Sequence, residues 1–183
     1  MEITIRQSLP SDFESIRHVV AQAFRDVEMS NQDEYVLVGR LRTSDAYVPE
    51  LSIVAENETG QIVGHILLSR ISIVDGAKAE ESLAMAPVSV LPNHQNQGIG
   101  SRLVRAALDR AKELGYGSVI VLGHPGFYPR FGFRKASEWG IRPPFDVPDN
   151  AFMALELQEG AFKQAGGVVR YPEPFNESAI ESM

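Results

Sequence analysis

Two glycines one residue apart, Gly98 and Gly100, close a polar run that begins at Pro92 and open an amphipathic stretch. The segment reads Val88-Ser89-Val90-Leu91-Pro92-Asn93-His94-Gln95-Asn96-Gln97-Gly98-Ile99-Gly100-Ser101-Arg102-Leu103-Val104. A helix N-terminus presents unpaired N–H groups and the positive end of the helix dipole, a pairing that binds phosphate. Glycine there lets the backbone approach an anion without a Cβ in the way. The chemistry expected of this loop is pyrophosphate binding. A P-loop needs a lysine directly after its last glycine, and none follows Gly100. A dinucleotide fingerprint needs a third glycine where this chain has Leu103. Taken alone, the pair Gly98 and Gly100 is also what a tight structural turn would carry.

Around this loop the chain reads as alternating strands and helices. Ile3 and Ile5 alternate with polar neighbours as a first strand. Ser11 and Glu14 have capping-box spacing, and Phe13, Ile16, Val20 and Phe24 recur at helical spacing. A second helix is expected from about Asp33 to Leu41. Leu51 to Ala55 and Gln61 to Ile73 form a hairpin around the turn residues Glu58-Thr59-Gly60. Asp75 to Ser82 is polar and reads as a loop. Leu83 to Leu91 is a buried strand in which Pro87 forces a bulge. From Gly98 to Leu114 the stripe Ile99, Leu103, Ala107, Ala111 and Leu114 predicts a helix capped by Gly115. Ser118 to Leu122 is a strand, Phe127 to Phe131 a helical turn, Phe133 the start of another strand, Arg142 to Pro148 a loop, and Ala151 to Leu157 a last strand. Val168 to Tyr171 adds a short edge, and from Glu173 the polar chain has nothing to bury, as expected of a mobile tail. The order predicts an α/β fold with a mixed sheet, its strands on either side of the long helix parallel.

The loop and a second segment together resemble the GNAT family of N-acetyltransferases. The family's motif A runs Q or R, two residues, G, one residue, G or A. Here it is Gln95 to Gly100, after a strand end V-x-V-x-P at Val88 to Pro92. The family's motif B, F-Y-x-x-x-G-F, is matched by Phe127 to Phe133 without a gap. The likeness covers about residues 1–158, and Leu122 to Tyr128 looks most like an uncharacterised bacterial subgroup. The resemblance implies a mixed, mostly antiparallel sheet flanked by helices, with one parallel strand pair around the CoA-binding helix. It implies a transferase domain at 1–158 and an extension at 159–183. It further implies acetyl-CoA as co-substrate. Backbone groups of Val88 and Val90 would pair with the pantetheine arm as if it were an added strand, with Ser89 between them in the cofactor-binding stretch. Gln95, Asn96, Gln97, Gly98, Ile99, Gly100 and Ser101 would cradle the pyrophosphate, and Tyr128 would lie near the sulfur as general acid. Pro129 departs from a regular helix start and places the short helix at or after it. The acceptor implied is a primary amine, on a small molecule or on a protein N-terminus or lysine, reached by direct transfer in a ternary complex. Alternatives are a non-catalytic acyl-CoA-binding module and a transferase for another acyl-CoA.

Other residues have competing roles. Glu81 is a candidate base or a solvated carboxylate beside Glu80. His124 follows a strand end, where a histidine more often serves structure. His65 has a weaker claim, and His94 and Asn93 are expected to face solvent. Arg102 and Arg130 could reach the CoA phosphates or lie on solvated faces. Trp139 and Tyr35 could line an acceptor pocket or pack in the core. No histidine–carboxylate spacing fits a metal, and the 183 residues include no cysteine, which removes disulfides, thiolate metal sites and a cysteine nucleophile. A net charge of −7 disfavours nucleic acid as a partner. With neither a membrane-length apolar run nor a signal-like start, a cytoplasmic monomer or homodimer is expected.

Overall fold

A computed structural model describes residues 2–27, 33–163 and 166–175. The elements that shape the site are β1 (Ile3–Gln7), α1 (Phe13–Phe24), α2 (Glu34–Arg42), β2 (Tyr47–Asn57), β3 (Ile62–Asp75) and β4 (Lys78–Val90). They are followed by α3 (Ile99–Glu113), β5 (Ser118–Leu122), β6 (Arg134–Lys135), β7 (Ile141–Arg142), β8 (Phe152–Glu156) and β9 (Gly167–Arg170). The sheet order is β1-β2-β3-β4-β5-β8-β6, with β9 added to β3 and β7 to β9. Neighbours along that path are antiparallel except β4 and β5, which flank α3 and run parallel as the crossover length predicts.

α3 forms because its apolar residues recur on one face. Leu103, Val104, Ala107 and Ala111 are fully buried, and Ile99 nearly so. Leu103 and Ile99 close onto Gly64 of β3, where an added Cβ would stand 3.0 Å and 3.2 Å from them. Each such side chain contributes about 1.5–3 kcal/mol by leaving water. α1 packs against β3 and β4, and α2 packs against α1.

Three local expectations are corrected. Ser11 and Glu14 do not form a capping box: Asp12 accepts the Leu9 N–H at 2.7 Å and is anchored by Arg6 at 2.8 Å. Asp75 to Ser82 is not a loop. β3 and β4 continue as a ladder to the pair Asp75 and Lys78, leaving a two-residue turn with Gly76 at φ 60°. Glycine at the first turn position supplies the positive φ that a tight hairpin requires, and Lys78, Glu80 and Glu81 are polar because that end of β4 is largely exposed. The segment after Glu173 does bury something: Phe175, in a short helical turn, is fully enclosed, and Phe162 and Val169 are also in the core. Residues 176–183 lie outside the described residues. The bulge expected at Pro87 appears as a register shift opposite Ile66 to Leu68.

Candidate active site

The loop between β4 and α3 delivers its backbone donors where the sequence places them. Gly98 is the N-cap of α3 at φ 84°, and Asn96 has φ 62°. Only glycine takes that left-handed conformation without penalty. The first intrahelical bond runs from the Arg102 N–H to the Gly98 carbonyl at 3.1 Å. The N–H groups of Ile99, Gly100 and Ser101 therefore have no partner within the helix. An added Cβ at Gly98 would meet nothing within 4 Å, and one at Gly100 would only touch Phe127 and Val90 at 3.9 Å. The space in front of the helix start is open. Ile99 contributes its backbone alone, since its side chain is buried against β3. Gln95 and Gln97 fold their amides back onto the carbonyls of Val90 at 3.0 Å and Asn93 at 3.4 Å.

Among the described residues no strand pairs with the edge of β4 beside that loop. Its parallel ladder with β5 covers only Leu83 and Ala84 against Val119 and Ile120, so the strands part beyond Ala84. The Leu91 N–H donates to the Val63 carbonyl at 2.9 Å. Backbone groups alternate sides along a strand. Leu91 and Ser89 therefore aim theirs at β3, while Val88 and Val90 aim theirs into the fork. That parity matches what an added extended chain would need. Ser89 differs from its two neighbours: its backbone faces His65 of β3 and its side chain is buried.

Tyr128 stands at the far arm of the fork. Its ring rests on Gly123, which follows β5, and makes edge-on contacts with Phe127 at 5.0 Å and Phe133 at 5.8 Å. Phe127 also reaches Gly100. A continuous set of contacts thus links the helix start, Phe127, Tyr128 and the end of β5. Burial pushes the Tyr128 phenol up to about 12, so it holds its proton at neutral pH.

The remaining candidates separate clearly. Glu81 lies with Glu50, Arg70 and Tyr116 near the C-terminal end of α3, at the end of β4 remote from the fork. His65 is fully buried beside Ser52, with 3.0 Å between Nε2 and Oγ. His124 is exposed and its Nδ1 accepts the Gly126 N–H at 3.0 Å, a structural contact. His94 is half-buried with its Nδ1 shielded, contrary to the expectation of a solvent-facing ring, while Asn93 is exposed. Arg102 donates to the Ile3 carbonyl at 3.0 Å, and Arg130 to the carbonyls of Phe127 and Gly126. Trp139 packs on Phe162, and Tyr35 is covered by Arg17. Among the described residues no cluster of three metal-ligating side chains occurs. Sequence reasoning missed three aromatic residues at the fork, Phe145, Tyr171 and Phe175. Nothing local marks them, because their neighbours are distant in the chain.

Known proteins share this fold. The model of the GNAT acetyltransferase family matches residues 13–133. The uncharacterized N-acetyltransferase YhbS of Escherichia coli K12 is 31% identical over 94% of this chain and 98% of its own length. The crystal structure of YhbS from Escherichia coli, in complex with CoA, superposes with a TM-score of 0.86, covering 97% of this chain and 93% of that one, at 30% identity. A GNAT family acetyltransferase from Brucella melitensis, in complex with acetyl-CoA, gives 0.78 at 34% identity, covering 96% of this chain and 99% of the other. No helix among the described residues is long and apolar enough to cross a membrane. The chain belongs to the GNAT acetyltransferase family.

Proposed function

We propose that this acetyltransferase moves the acetyl group of acetyl-CoA directly onto a primary amine, with both substrates bound together. The observation that carries the reading is the open edge of Val88 and Val90, which runs into the unpaired helix start at Ile99 to Ser101. The pantetheine arm would pair with Val88 and Val90 as an added strand. The pyrophosphate would sit on the N–H groups between Gln95 and Ser101, with the Gln95 amide released from the Val90 carbonyl that it now occupies. The two relatives bound to CoA and acetyl-CoA support the choice of co-substrate. The transferase domain is residues 1–158, and 159–183 is an extension whose Tyr171 and Phe175 line the fork.

The neutral amine attacks the thioester carbonyl carbon. The developing oxyanion accepts a hydrogen bond from a backbone N–H near Val90, preset by the strand. The carbon–sulfur bond then breaks and the electron pair leaves on sulfur. Tyr128, still protonated, donates its proton to that thiolate and regains one from the attacking nitrogen as the amide forms, as a half-buried phenol held neutral near pH 7 can do. The balance is ammonium plus acetyl-CoA giving amide, CoA thiol and one proton released to water. Holding the two reactants in register supplies most of the rate.

The test is an amine screen with purified protein and acetyl-CoA, read as free thiol. Amine-dependent thiol release is the expected result. Tight acetyl-CoA binding with no release across small amines, lysine side chains and peptide N-termini would instead assign the chain to acyl-CoA binding without turnover.

A further inference from the structure

Where β4 and β5 part, a void of ≈ 10 Å³ remains between Ala84 to Ala86 of β4 and Ile120 and Leu122 of β5. Three aromatic residues from the late loop and the C-terminal segment close it. Phe145 stacks on Tyr171 at 6.0 Å and 25°, and Tyr171 packs on Phe175 at 5.1 Å. Phe175 is fully buried. All three lie outside the stretch 13–133 that the family model matches.

The direction of the donor leads to this void, on the reading of the site proposed above. An arm that starts at the helix terminus and runs back along Val90 and then Val88 points its acyl end at Ala86 to Ala84. Among the described residues the lining side chains hold no carboxylate and no imidazole, only hydrocarbon, the Met85 thioether and one phenol. Such a wall suits the hydrocarbon end of an acyl group and not an ammonium, which loses its hydration there without a partner. The room is about that of one water or one methyl group. A longer chain would have to displace a ring from a packed cluster.

We infer that Phe145, Tyr171 and Phe175 form an acyl-length stop that restricts the donor to acetyl-CoA. One surplus methylene in an apolar pocket changes selectivity by about 10–200-fold.

The test compares acetyl-, propionyl- and butyryl-CoA by kcat/KM and by calorimetric affinity, with CoA itself as the acyl-free control. The wild type should prefer acetyl over butyryl by about 100-fold or more. Phe145→Ala should narrow that ratio about tenfold or more by improving butyryl-CoA, with CoA affinity unchanged. Phe175→Leu, less disruptive than alanine at a fully buried site, should act in the same direction. Equal use of butyryl- and acetyl-CoA by the wild type would overturn the inference. So would an unchanged acyl ratio in both folded variants, including the case in which only the acceptor KM moves. The affinities decide the point separately from turnover, so loss of the transferase reading and loss of the length stop give different results.

Discussion

The ring of Tyr128 lies on Gly123 so closely that a Cβ at Gly123 would stand 2.3 Å from Cε2. No real side chain tolerates that distance, so the glycine exists here to let the phenol lie against the end of β5. Gly123→Ala must therefore move the ring. The expected result is a folded enzyme that still binds CoA and has lost much of the turnover that Tyr128 supplies. Calorimetry and thiol-release rates measured on the same preparation check it. Wild-type turnover in Gly123→Ala would mean that the position of the phenol is irrelevant to the chemistry.

Tyr128→Phe keeps the packing against Phe127 and Phe133 and removes only the hydroxyl. Turnover should fall about 10²–10⁴-fold, the usual worth of a general acid, with CoA affinity nearly unchanged. The pH profile adds a sharper test. Burial raises the phenol to about 12, so no loss of activity from its ionisation should appear below about pH 11. The ratio of wild-type to Tyr128→Phe rates should stay constant between pH 6 and 10. A falling limb near pH 9 that vanishes in the variant would contradict this placement.

The helix and the strand order were legible because their signals are local. The stripe Ile99, Leu103, Ala107 and Ala111 needs only its own spacing, and the glycine pair marks where that helix starts. The extended β3–β4 ladder was not legible. Lys78, Glu80 and Glu81 are polar and largely exposed, so their composition is that of a loop, and only the turn at Asp75-Gly76 hinted otherwise. The burial of Phe175 was hidden for a different reason. Its hole is built by β4 and β5, some 50–90 residues away in the chain. Alternation along β4 was readable by itself, but the assignment of Val88 and Val90 to the open edge came from the family resemblance, since the partner strand and its register decide the parity.

His65 makes the fold sensitive to acid. It is fully buried and burial pushes its pKa down to about 3, against about 6.5 in the unfolded chain. The folded pKa is depressed, so the unfolded state binds the extra proton between these values. The stabilisation is complete above pH 6.5 and is lost as pH falls, by about 1.4 kcal/mol per unit. Asp12, held low by Arg6, acts in the same direction only below about pH 4. Urea midpoints at pH 7.5, 6.0 and 5.0 should fall steadily, and His65→Gln should flatten the slope in that window. A midpoint independent of pH from 7.5 to 5.0 would show that His65 is not buried neutral.

The central claim is that acetyl-CoA binds at the start of α3, and calorimetry on the wild type and Gly100→Val tests it most directly. A side chain at Gly100 has room in the empty protein, with its Cβ at ordinary contact distance from Phe127 and Val90, but it stands where the pyrophosphate must approach. The wild type should bind one acetyl-CoA per chain and gain about 2.7 kcal/mol of stability at a hundredfold excess over the Kd. Gly100→Val should melt at nearly the wild-type temperature and bind at least about tenfold more weakly. A wild type indifferent to millimolar acetyl-CoA, or a folded Gly100→Val with unchanged affinity, would contradict the account.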